Sequence, residues 1–118
     1  MEYSRKIYTI DEVKNAISKL IKNEYPEIKE VILFGSYARD EATPISDLDI
    51  LISKPEQIKP MIMWSFCGSL KEILHKSVEV FRLKSIDINS EFFENIRKDG
   101  ILIYENKQNE NSKRQTNY

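Results

Sequence analysis

The sequence predicts an α/β (α+β) domain, a small mixed β-sheet with helices packed mainly on one face. Three observations carry this. Apolar residues switch repeatedly between helical and strand spacing along the chain, the polar chemistry clusters at strand ends, and 118 residues with 41% apolar content allow one core of modest size. A second folded domain has no room.

Thr9-Ile10-Asp11-Glu12 reads as a capping box, in which the Thr9 hydroxyl takes an amide one turn on and Glu12 reaches back to the Thr9 amide. A helix starts there. Ile10, Val13, Ile17, Leu20 and Ile21 form its apolar stripe, and Pro26 closes it. Ile28 to Phe34, rich in β-branched and aromatic residues, is a strand ending at the Gly35-Ser36 turn. A short helix over Tyr37 to Glu41 and a loop at Thr43-Pro44 follow. Leu48, Ile50 and Ile52 alternate with Asp47, Asp49 and Leu51, which makes a second strand carrying both aspartates on one face. Beyond the Lys54-Pro55 break, Gln57 to His75 favours a helix, Val78 to Arg82 a third strand, and Asn89 or Ser90 the cap of a last helix running to Lys98. Gly100 suits that helix's stop and Ile101 to Tyr104 a short final strand. Residues 1–105 are thus the domain, and 106–118, rich in Asn, Lys and Gln, a disordered polar tail.

Charge and composition exclude several functions. With 18 basic and 19 acidic residues interspersed and a formal charge of -1, the chain has no one-sided basic stripe, so direct nucleic-acid binding is not expected. A lone cysteine, Cys67, and the lack of an apolar signal core or membrane-length run point to a cytoplasmic protein. His75, at a helix end, is read without a catalytic role, and Met61, Met63, Trp64 and Phe66 as core or partner surface.

The chemistry lies between Gly35 and Asp49. Carboxylates at i and i+2 on a strand project from one side with Cα atoms roughly 6.5 to 7 Å apart, so Asp47 and Asp49 can share a divalent ion. Oxygen ligands suit Mg²⁺ or Mn²⁺, and Mg²⁺ completes its octahedron with water and substrate phosphates. Gly35 lets a phosphate approach the backbone, Ser36 adds a hydroxyl donor, and the amides opening the next helix add a positive end. Arg39, a turn further on, reaches the same phosphates or else pairs with Asp40 or Glu41. A third acid would complete a two-metal arrangement. Glu79 is the candidate, pointing off the core face of its strand, and Asp87 is the rival, in a segment that reads as a turn.

Gly35-Ser36, ten residues, then Asp47-Leu48-Asp49, with Ser46 directly before the first aspartate, resembles the signature of the polymerase-β-like nucleotidyltransferase superfamily. The short chain is similar to its minimal nucleotidyltransferase (MNT) branch. The resemblance implies that fold and transfer of AMP from ATP to a hydroxyl with two Mg²⁺ ions bound. Gly35, Ser36, Arg39 and Ser46 would lie against the nucleotide, and Asp47, Asp49 and Glu79 would be the catalytic, metal-binding acids. Glutamate is one methylene longer than the aspartate many members carry at that third position. The resemblance further implies a HEPN-type helical toxin as partner, with this chain as the antitoxin in a homo- or hetero-oligomer and a toxin tyrosine as acceptor. An antitoxin acting by contact alone is the alternative, and a transferase acting on a small molecule is less favoured.

Overall fold

The computed structural model describes residues 3–106. Its elements are α1 (Ile10–Glu24), β1 (Glu30–Phe34), α2 (Gly35–Ala38), β2 (Leu48–Lys54), α3 (Pro60–Leu74), β3 (Val78–Arg82), a 3-10 turn (Leu83–Ser85), α4 (Glu91–Asp99) and β4 (Ile101–Glu105). The four strands form one sheet in the order β3-β2-β1-β4. β1 is antiparallel to both β2 and β4, whereas β2 and β3 run parallel, joined across the face by α3.

Each element follows from local chemistry. The capping box forms as read, with Glu12 N donating to Thr9 Oγ1 at 3.1 Å and Thr9 N to Glu12 Oε1 at 2.9 Å. Val13, Ile17, Leu20 and Ile21 are buried along α1. Pro60 opens α3 at its first turn, where its missing N–H costs nothing, so that helix begins three residues later than the expected Gln57. Ser90 caps α4 by accepting from Phe93 N at 3.1 Å. The short helix expected over Tyr37 to Glu41 lies instead at Gly35–Ala38, and a single turn sums little macrodipole. The first strand begins at Glu30 rather than Ile28, though Ile28 is fully buried.

Strand parity divides the sheet into two faces. Val31, Leu33, Leu48, Ile50, Ile52, Val78 and Ile103 join the buried residues of α1 and α3 in the main core. Phe34 and Leu51 point the other way and pack with Ile96 of α4, flanked by Ile32 and Phe81. Helices therefore lie mainly on one face, with α4 alone on the other. The polar tail expected from residue 106 lies outside the described residues from 107 onward; Glu105 ends β4, and Asn106 N donates to Lys29 O at 2.9 Å.

Within α3 the inward and outward faces differ sharply. Phe66 is fully buried and meets Tyr25 edge-on at 5.5 Å, whereas Trp64 is 67% and Met61 78% exposed. Phe66→Ala is expected to cost about 3–5 kcal/mol in urea unfolding. Trp64→Ala, two positions away, should shift stability by no more than about 0.5 kcal/mol. Equal losses in the two variants would contradict this division of the helix.

Candidate active site

β1 delivers its last residue, Phe34, opposite Asp49 of β2, and the chain then turns at Gly35. Gly35 has φ +75, in the region L-residues avoid, and its Cα faces Asp49: a Cβ built there would run into Oδ2 and stand 3.2 Å from Cγ. The glycine is thus required twice, for its backbone angle and for the carboxylate that closes over it.

Across the sheet the parallel register of β2 and β3 sets Asp49 directly beside Glu79. Asp47 sits one residue ahead of β2 rather than inside it. Its charge still reaches Asp49: burial first, then the charges of Glu79 and Asp47, push the Asp49 carboxyl up from 3.8 to about 6, with Arg39 opposing. The geometry therefore sets Asp49 beside Glu79, with Asp47 near enough for its charge to act on Asp49. Asp87 stays in a turn, where its Oδ1 accepts from Asn89 N at 2.9 Å.

The neighbouring polar residues divide. Arg39 Nε donates to Glu41 Oε1 at 2.9 Å and its Nη1 lies 3.9 Å from Asp99, so it takes the surface pairing weighed as its alternative. It nevertheless lines a cleft of about 230 Å³ together with Gly35, Asp49, Phe92 and Asn95. Ser46 Oγ is committed to its own loop, accepting from Thr43 N at 2.8 Å. Ser36 makes no side-chain hydrogen bond among the described residues, and its carbonyl accepts from Glu41 N at 2.9 Å. Cys67 is half-buried and donates to Val78 O at 3.3 Å.

Phe92 and Asn95 escaped the sequence reading. Phe92 belongs to an aromatic cluster with Phe34 and Phe81, with ring centroids 5.4 to 5.7 Å apart, and forms the cleft's far wall. The Phe92-Phe93 pair shows only an apolar helix start; which ring meets the cleft depends on how α4 crosses the sheet.

The donor set offers only oxygen, which suits a hard divalent cation, and a cation there would offset the mutual repulsion that raises Asp49. Among the described residues, no three side chains of His, Cys, Asp or Glu gather closely enough to hold an ion unaided. A phosphate-bearing ligand would supply the remaining oxygens, as Mg²⁺ sites commonly require.

A mixed sheet that ends in a glycine turn beside crowded carboxylates is the architecture of a nucleotidyltransferase domain. The chain belongs to the polymerase beta nucleotidyltransferase family, whose model, Polymerase beta, Nucleotidyltransferase, matches residues 15–109. The protein MJ0128 of Methanocaldococcus jannaschii, provisionally named a protein adenylyltransferase, is 45% identical over 98 residues, which cover 80% of this chain and 98% of that one. A crystal structure of a toxin-antitoxin with AMP-PNP superposes with a TM-score of 0.67 at 23% identity, covering 81% of this chain and 76% of that one. A second, of tri-AMPylated Shewanella oneidensis HEPN toxin in complex with MNT antitoxin, gives 0.63 at 20% identity, covering 87% and 78%. At these identities the two structures bear on the fold, which is that of the minimal nucleotidyltransferases. No helix among the described residues is long and apolar enough to cross a membrane.

Two outcomes follow from the crowding at Gly35 and Asp49. Gly35→Ala should lose at least about 1–3 kcal/mol in urea unfolding, from a strained φ and the collision with Asp49. For Asp49, a folded pKa near 6 above an unfolded value of 3.8 means that the folded state holds the extra proton between those values. Its contribution to stability therefore falls as pH rises through that window. In metal-free buffer Asp49→Asn should raise Tm above about pH 6, and the gain should vanish near pH 4, where the wild-type carboxyl is largely protonated when folded. A gain of the same size at both pH values would show that crowding of charge is not the cause.

Proposed function

We propose that this chain transfers AMP from ATP to a protein hydroxyl, with a tyrosine of a HEPN-type toxin as acceptor, and so acts as an antitoxin. The observation that carries the reading is the in-register Asp49–Glu79 pair, with Asp47 beside it, packed against the Gly35 turn. The names of the relatives support the reaction class, and the toxin-antitoxin structures support the kind of partner.

In this reading the acceptor oxygen forms a bond to the α-phosphorus of ATP, the bond from that phosphorus to pyrophosphate breaks, and the hydroxyl proton leaves. Gly35 and Ser36 hold the triphosphate, Gly35 by exposing backbone and Ser36 by its uncommitted hydroxyl. Asp47 and Asp49 would ligate two divalent ions, Mg²⁺ or Mn²⁺, and Glu79 the one nearer the acceptor. Such ions, when bound, neutralise the polyphosphate and the charge that develops in transfer. Glu79 is exposed on β3 and its longer arm can follow the acceptor oxygen and take its proton. Arg39 exchanges Glu41 for the phosphates, a trade that favours the multiply charged partner. Ser46 supports the nucleotide by holding the loop that presents Asp47, through its bond to Thr43.

A second reading, neutralisation by contact, rests on one observation: Met61 and Trp64 leave an apolar strip on the outer face of α3. Incubation with Mg²⁺, α-labelled ATP and a HEPN-type helical protein separates the two. Label on that protein is expected; a tight complex without label would leave the contact reading standing. Asp47→Asn or Asp49→Asn should abolish labelling with the circular dichroism spectrum unchanged, and Glu79→Gln should slow it by about a hundredfold or more. Full transfer by either aspartate variant would overturn the assignment.

A further inference from the structure

A second cavity opens beside the carboxylates, about 270 Å³ in volume, between the N-terminal segment and the loop that leads into β2. Asp47 lines this cavity and Asp49 lines the Arg39 cleft, so the aspartate pair stands between two openings. The walls of the second include Tyr3, Arg5, Ser46, Lys76 and Ser77. Ser77 shares strand parity with Glu79 and borders the same end of the sheet.

Its charges are unusual. Lys76 is 2% exposed, yet among the described residues its ammonium meets only two carbonyls, Ser4 O at 2.7 Å and Pro44 O at 2.8 Å. An ammonium has three donors, so one remains. Burial first, and then the charge of nearby Arg5, depress the Lys76 pKa. Among the described residues neither cation has a carboxylate within ion-pair distance. Two neighbouring cations, one of them buried, are costly without a counter-charge. The segment carrying Arg5 is also firmly tied, by Ser4 N to His75 O at 2.7 Å and Tyr8 Oη to Leu74 O at 2.7 Å.

Transfer needs its two substrates on opposite sides of the reacting phosphorus. With the nucleotide in the Arg39 cleft, the second opening is left for the acceptor. Of the charged groups on the cavity wall, the two cations Arg5 and Lys76 outnumber the one acid, Asp47, so the wall is net positive without a metal. We propose that this cavity is an acceptor subsite that takes an anionic group, a carboxylate or a phosphate carried beside the hydroxyl to be modified, on Arg5 and Lys76. The assignment of the acceptor rests on the nucleotidyl-transfer reading above; the anion site itself does not.

The test uses the full chain labelled with ¹⁵N, free of metal, and two probes followed by amide chemical shifts. Phenyl phosphate represents a phosphate source and N-acetyl-Glu-Tyr-amide a carboxylate source. At least one should move Ser46 and Ser77 saturably, and which one does so identifies the source. Arg5 is exposed and, among the described residues, without an ion pair, so Arg5→Glu should fold normally while weakening that binding by about tenfold or more. N-acetyl-Lys-Tyr-amide should bind the variant better than the wild type. Silence from both probes, or equal binding by Arg5→Glu, would overturn the proposal. Separately, a non-hydrolysable ATP analogue with Mg²⁺ should move Gly35 and Ser36; if it does not, the nucleotide reading fails, while the probe result still decides the anion site.

Discussion

Everything distinctive in this protein depends on one close approach, the Asp49 carboxylate lying against the Cα of Gly35. It exists because the antiparallel register pairs Phe34 with Asp49, so the turn that ends β1 must fold back beneath that side chain. The parallel register of β2 and β3 then adds Glu79 on the other flank. Neither register can slip by one residue without exchanging the faces of the strand, which would bury the acids and expose Ile50 and Ile52. The apolar face held by α1 and α3 thereby holds the polar one in place.

That arrangement is electrostatically unfavourable in isolation. Three carboxylates crowd one end of the sheet, and Asp49, half-buried, resists ionisation until about pH 6. A sheet stabilised only for its own sake would not place them so. Strain of this kind is characteristic of sites that await a cation or substrate, and the surrounding core offsets it. The partial cover supplied by α4 belongs to the same design: its Ile96 seals Leu51 and Phe34, while Phe92 and Asn95 stop short of the acids and leave a cleft.

On the other side of the aspartates, the buried Lys76 ammonium ties the N-terminal segment to the loop at Pro44. This clamp makes the wall of the second cavity part of the folded domain. A small domain can in this way present two openings beside one pair of aspartates. The apolar strip of Met61 and Trp64 lies on the outer side of α3, away from the buried face that packs on the sheet. Chemistry and any partner contact made there occupy separate surfaces.

Much of this was legible in the chain itself. The capping box, the strand from Val78 to Arg82 and the Gly35-Ser36 to Asp47-Leu48-Asp49 spacing are local patterns, since a helix start, a strand's alternation and a turn glycine depend on near neighbours. The alternation of Val78, Glu79 and Val80 likewise indicated which way Glu79 points. Pairing is different, because it is made between segments far apart in sequence. Strand order, the registers that set Glu79 beside Asp49, the side of the sheet that α4 takes and the meeting of Arg5 with Lys76 arise only when the chain closes on itself. The sequence by itself determined the elements and the ligand types, through periodicity and side-chain chemistry. Only the tertiary structure decided which acids lie side by side and where the cavities open, because those are properties of packed faces.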